Sequence, residues 1–296
     1  MNSIELESRS VESSNEDSGD REELRSEVEE HWSAGDSVDR EAARRTVARF
    51  MDALERGRMR AARPVEDGWE AVEWVKRGIL LAFRVGRTRR FEGYGTYFDR
   101  DTLPLRSTRG VEENIRIVPG GSSVRSGAYL APGVVIMPPA YVNVGAYVDE
   151  GAMIDSHALV GSCAQIGKRV HLSAGAQIGG VLEPVGLRPV VVEDDAMIGA
   201  NTGVFEGVRV GRRAVLAPGV NLTASTILFD IPNEREIRKK GDQPLEVPEG
   251  AVVVPGGRPA RGAWAETLDL QLYAPIIVKY RDESTDAATA LEDVLR

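Results

Sequence analysis

Asp155 is the residue of this sequence best placed to do chemistry. It follows the aliphatic Ile154, at a slot that glycine holds in other segments: Gly161, Gly167, Gly179 and Gly199. A carboxylate at such a slot can hold an ammonium group and take a proton from it. It can equally be a turn aspartate bonded to its own backbone, and spacing leaves both readings open. His157 and His171 fall in the same region, where each could act as a base or occupy an ordinary structural position; His31 lies outside it. The single cysteine, Cys163, has neighbours that suggest a corner residue rather than a nucleophile. Arg116, in Ile115-Arg116-Ile117-Val118-Pro119, carries a guanidinium that can fork onto a carboxylate. Its local pattern alone reads as a solvated surface arginine.

The element that must position these residues is a repeat of six. Aliphatic residues recur at Val118, Val124, Leu130, Ile136, Val142, Val148, Ile154, Val160, Ile166, Leu172 and Ile178. The series resumes in a new phase at Val192, Ile198, Val204, Val210, Leu216 and Leu222, with Leu228 as a candidate last member. A period of six fits neither a helix nor a simple alternating strand, and it is the signature of a parallel β-helix. Small residues such as Ala146, Ala152, Ala158, Ala164 and Ala176 stand two before the aliphatic position. Turn formers such as Gly127, Gly133, Pro139, Gly145, Gly151 and Gly175 stand three before it. Each hexad therefore reads as one short strand and one corner, and three hexads make a triangular coil of about eighteen residues. The aliphatic column points inward, where each side chain contributes roughly 1.5–3 kcal/mol. The break between Ile178 and Val192 is an insertion at a corner, expected to project as a loop from one edge and to offer a place for binding residues.

The chain has 296 residues and a formal net charge of −9. The first thirty residues hold eleven acids against three arginines, a net of −8, which leaves the other 266 close to neutral at −1. An acidic tail over residues 1–20 is expected to be disordered. The remainder shows no charge bias toward nucleic acid. One cysteine cannot form an intrachain disulfide, which points to a reducing, cytoplasmic setting. No apolar run is long enough for a membrane span, and the start does not read as a signal peptide. Residues 21–110 read as an N-terminal helical domain. One helix runs from Glu41 to Arg56, and another opens at Gly68-Trp69 and continues through Phe83. The β-helix is assigned to residues 111–230. Residues 231–296 hold strands at Ala251–Pro255 and Leu272–Tyr280 and a short helix at Ala287–Arg296.

The stretch Tyr141-Val-Asn-Val-Gly-Ala-Tyr-Val-Asp-Glu-Gly-Ala-Met-Ile-Asp155 runs on through Ser156-His-Ala-Leu-Val-Gly-Ser-Cys-Ala-Gln-Ile-Gly-Lys168. With Val170-His-Leu-Ser173 and Ile178-Gly-Gly-Val-Leu-Glu-Pro184, it resembles the tetrahydrodipicolinate N-succinyltransferase family of bacterial lysine and diaminopimelate synthesis. The likeness covers the chain from about Glu41 onward and is more specific than the hexad repeat, which many acyltransferases share. It implies a left-handed parallel β-helix, with an N-terminal helical domain and a small C-terminal β/α segment. It also implies a homotrimer with active sites in clefts between subunits. The implied reaction is attack by the amine of the ring-opened, hydrated substrate on the thioester of succinyl-CoA, giving N-succinyl-2-amino-6-oxopimelate and CoA. Succinyl-CoA is then a co-substrate, and no metal or redox cofactor is implied. By the same resemblance Arg116 binds a substrate carboxylate, while Asp155 binds the substrate and takes the proton of its amine. One position departs. Some family members carry a glutamate where ungapped matching places Gly203, which leaves Glu206, three residues on, as a candidate second acid–base group.

Three other readings compete. An N-acetyltransferase on the same substrate would keep the fold and change only the acyl pocket. A non-catalytic hexapeptide scaffold would not need both Arg116 and Asp155. A hexapeptide carbonic anhydrase needs three histidines on zinc, and the repeat region has only His157 and His171.

Overall fold

The computed structural model describes residues 19–66, 68–92 and 95–281. Most of the expected acidic tail and all of the expected helix at Ala287–Arg296 lie outside those residues. Residues 19 and 20 already belong to a helix, α1, over 19–33, which the sequence reading does not contain.

The N-terminal part continues with α2 (Arg40–Glu55), whose first turn is capped by Asp39 accepting from the Glu41 and Ala42 N–H groups. An antiparallel hairpin follows, β1 (Ala62–Val65) with β2 (Gly68–Ala71). The helix α3 then runs over Glu73–Val85, and a second hairpin pairs β3 (Thr88–Glu92) with β4 (Thr96–Arg100). Gly68-Trp69 was expected to open the second helix and instead forms β2; the helix starts five residues later, at Glu73. Gly68 sits at φ +122°, a backbone state that a helix excludes. The apolar faces of α2 and α3 meet through Phe50, Leu54, Trp74 and Ile79.

From β5 (Arg116–Ile117) to β21 (Asn221–Leu222) the chain forms two-residue strands joined by corners. They stack in parallel on three faces. On the first face Arg116, Val135, Met153, His171, Met197 and Val215 are in register. On the second the order is Ser123, Tyr141, Leu159, Gln177, Gly203 and Asn221. On the third it is Tyr129, Tyr147, Gln165, Val191 and Arg209. The next residue of each strand points inward, and Ile136, Val142, Val148, Ile154, Val160, Ile166, Leu172 and Ile178 are all 0 % exposed. This is the hexapeptide-repeat β-helix expected from the period.

Two members of the expected column differ. The column begins at Ile117, which pairs with Ile136, and not at Val118; the extra residue lies in the turn containing Gly120 and Gly121, both at positive φ. Leu228 is buried but belongs to β22 (Leu228–Asp230), outside the stack. The stack resumes at β24 (Glu246–Val247) on Arg209–Val210 and at β25 (Ala251–Pro259) on Val215–Leu216, so parallel pairing extends past residue 230. A second insertion therefore separates Leu222 from Val247. It leaves from the same corner as the first, the one between the second and third faces.

The third face is covered by the N-terminal part. The Arg60 guanidinium lies 3.7 Å from the Tyr147 ring centroid and 5.2 Å from that of Trp69, and donates to Gln165 Oε1 at 2.9 Å. Trp69 Nε1 donates to Glu193 Oε1 at 2.9 Å. The first insertion is bound to this domain as well. Leu182 packs against its core, and the buried Lys76 Nζ donates to the Leu187 carbonyl. After the prism, β25 pairs antiparallel with β26 (Gln271–Tyr280), and the short helix α4 (Ala263–Thr267) stands between them.

Candidate active site

The corner after each inward residue makes the same local bond at three successive positions. Asn143, Asp149 and Asp155 each accept, through Oδ1, the N–H of the following residue, at 2.8, 2.8 and 2.6 Å. Turn-making is thus a real role of Asp155, and it occupies one oxygen only. The three residues differ in which corner they hold. Asp155 holds the corner between the first and second faces, whereas the described residues of the N-terminal domain pack on the third. Its side chain is 32 % exposed, and Oδ2 lies 4.0 Å from His171 Nε2.

The coil length creates this second contact. His171 stacks on Met153, two residues before Asp155, and its side chain is 14 % exposed between Met153 below and Met197 above. Arg116 is an exposed residue of the same face, at its first strand. The strands at Arg116 and Met153 are separated by the one at Val135, which places Arg116 and Asp155 about 10 Å apart along the prism at roughly 4.8 Å per strand. The structure therefore brings Arg116, Asp155 and His171 to one face and its edge.

Gly203 and Glu206 are placed elsewhere. Gly203 opens a strand of the second face, and a Cβ there would overlap the Asn221 amide oxygen and the Phe205 ring. In this arrangement the ends of those two side chains occupy the space next to Gly203. Glu206 sits at φ +54° in the corner between the second and third faces, and its Oε2 accepts the Ala224 N–H at 3.0 Å. Its carboxylate serves that turn. His157 is an exposed corner residue at φ +62°. His31 bonds Thr46 between the helices at 3.2 Å. Cys163 is fully buried, and burial pushes its thiol up to about 12, which removes it as a nucleophile.

The sequence reading missed the Asp155–His171 approach, although an eighteen-residue coil contains it: residue 171 stacks on residue 153 once the register is known. Among the described residues no group of three or more His, Cys, Asp or Glu side chains could hold a metal ion, and no helix is long and apolar enough to cross a membrane.

Comparison with known proteins fixes the family. Residues 23–85 match the family model described as tetrahydrodipicolinate N-succinyltransferase N-terminal, and residues 189–224 match the hexapeptide repeat of succinyl-transferase. A 2,3,4,5-tetrahydropyridine-2,6-dicarboxylate N-succinyltransferase of Gluconobacter oxydans is 46 % identical over 260 residues, 86 % of this chain and 90 % of that protein. The chain belongs to the tetrahydrodipicolinate N-succinyltransferase family. Relatives of the same name from Coxiella burnetii and Idiomarina loihiensis are 42 % and 38 % identical, over 84 % and 86 % of this chain and 88 % and 89 % of theirs. The N-terminal family match spans α2, β1, β2 and α3, so the domain covering the third face is as much a mark of the N-succinyltransferase family as the prism.

Proposed function

We propose that this chain transfers the succinyl group of succinyl-CoA to the amine of ring-opened tetrahydrodipicolinate, releasing CoA and N-succinyl-2-amino-6-oxopimelate. The observation that carries this reading is the 46 % identity, over 86 % of the chain, to a protein with that activity in its name. The site is consistent with it. The exposed Arg116 guanidinium forks onto one substrate carboxylate. Asp155, about 10 Å along the same face by strand spacing, holds the amine at a distance suited to a pimelate-length chain. Asp155 Oδ2 takes the proton as the amine nitrogen bonds to the thioester carbon. The C–S bond then breaks, and the thiolate leaves as CoA and is protonated to the thiol. A carboxylate base and a thioester leaving group complete this aminolysis without a metal. The first and second faces, meeting at Asp155, give a neighbouring prism two flat surfaces to pack on. The working unit is accordingly a homotrimer with sites between subunits, in the cytoplasm.

Thiol release followed with succinyl-CoA and with acetyl-CoA, each with tetrahydrodipicolinate, tests the reading. Faster release from succinyl-CoA is expected. Preference for acetyl-CoA would transfer the chain to the acetylating reaction, and no release from either donor would remove the enzymatic reading.

A further inference from the structure

We infer that His171 is the second proton-carrying group of the site, working with Asp155. The inference rests on Asp155 acting as the base. Three observations lead to it. Gly203 brings no carboxylate, and the ends of the Phe205 and Asn221 side chains occupy the space beside it. Glu206 is committed to the Ala224 N–H at another corner of the prism. His171 Nε2 lies 4.0 Å from the Asp155 oxygen that the corner turn leaves unused, and His171 stands in register between Met153 and Met197, its side chain 14 % exposed.

A separation of 4.0 Å is too long for a direct hydrogen bond and within range of a charge pair; such contacts commonly tighten when substrate binds. Among the described residues, charged groups on the neighbouring corners pair with one another. On its own strand's side, Arg169 bonds Asp195 at 2.7 Å and Lys168 lies 3.5 Å from Glu150. Across the corner on the Met153 side stand Asp155 and His157. The Met197 side brings Asp194, whose Oδ1 accepts the Lys168 N–H at 2.8 Å. Asp155 presents a carboxylate oxygen at ion-pair distance from His171 Nε2.

The amine nitrogen forms its bond to the thioester carbon and gives its proton to Asp155 Oδ2. Neutral His171 takes that proton from the carboxylic acid and restores the carboxylate. The C–S bond breaks, and the imidazolium gives the proton to the departing thiolate, so no net proton is gained or lost. The relay needs an imidazole nitrogen free to accept the proton, a role that side chain can serve in both directions.

The test is the pH profile of kcat for the full chain and its His171→Gln variant, with succinyl-CoA and tetrahydrodipicolinate. The expected result is a kcat lower by at least about tenfold, nearly unchanged KM for succinyl-CoA, and an acid limb displaced to lower pH because the proton relay through the imidazole is gone. His171→Asn should behave alike, and free imidazole should restore part of the turnover of His171→Ala. An acid limb that stays in place in both amide variants would overturn the inference, whether or not kcat falls, because a purely structural histidine would leave the limb where it was. Asp155→Asn separates the two ideas. If it is inactive while His171→Gln matches the parent, only this inference fails; if it remains active, the reading of Asp155 fails first.

Discussion

Asp155 shares its turn bond with Asn143 and Asp149, so the bond cannot be what sets it apart. Its distinction is position: the edge between the first and second faces, a second oxygen turned toward His171, and Arg116 on the same face. Among the described residues Arg116 has no side-chain hydrogen bond or ion pair, and its part in the first strand is a backbone bond from its N–H to the Val134 carbonyl at 3.0 Å. Replacing it should therefore be felt by the substrate and not by stability. Arg116→Ala is expected to raise KM for the amino dicarboxylate by roughly ten- to a hundredfold, the loss of a charge-assisted hydrogen bond of about 1.5–3 kcal/mol. KM for succinyl-CoA should stay nearly unchanged. Steady-state kinetics with each substrate varied in turn checks this, and equal weakening toward both would contradict the role.

At the scale of elements, the prism is held by its inward column, and membership of that column has measurable consequences. Ile166→Ala removes a side chain that is 0 % exposed and should cost about 2–5 kcal/mol. Val118→Ala lies outside the column, on a half-buried residue, and should cost about 1 kcal/mol or less. Urea unfolding of the two variants separates them, and equal costs would place Val118 back in the stack. The N-terminal domain has its own clamp. Arg44 on α2 donates twice to Asp101, at 3.0 Å each, and the Arg87 N–H donates to it at 2.9 Å. The bond from Arg44, offset in part by burial, holds the Asp101 carboxyl down at about 2, against an ordinary 3.8. A depressed carboxylate contributes stability that is present above about pH 4 and lost as pH falls through about 2. Asp101→Asn should cost about 1–2 kcal/mol at neutral pH. The difference from the parent should vanish toward pH 2 in thermal melts, and a difference that persists there would contradict the assignment. The hexads were legible from sequence because a strict period of six forces a single inward face. Three things were not. The helix expected at Gly68 is a strand because that residue takes a positive φ and pairs with Val65 across a hairpin. The entry at Ile117 depends on one extra residue in a glycine turn. The return of the column at Val247 and Val253 is hidden by an insertion that carries strands of its own.

For the whole molecule, the N-terminal domain uses up one of the three prism faces, and Arg116, Asp155 and His171 lie at the two that remain. A site built on an open edge needs a second wall, which a neighbouring prism would supply in the proposed trimer. The expected assembly is a trimer near 97 kDa from chains of 32.2 kDa, and light scattering that found a fully active monomer would contradict both the assembly and the shared cleft. From sequence, Arg116 and Asp155 were recognisable by their surrounding motif. Their placement on one face was implicit in the eighteen-residue coil, whereas the filling of the Gly203 position by Phe205 depends on where that ring lies across the corner. The central claim is that Asp155 takes the proton from the attacking amine, and kcat for thiol release from succinyl-CoA by Asp155→Asn tests it most directly. The substitution keeps the side chain's shape and its Oδ1 bond to the Ser156 N–H and leaves the aliphatic column intact, so the melting temperature and assembly should match the parent. General-base contributions of about a hundredfold to ten-thousandfold predict a fall in kcat of at least about two orders of magnitude. A folded Asp155→Asn protein with near-parental turnover would contradict the account at its centre.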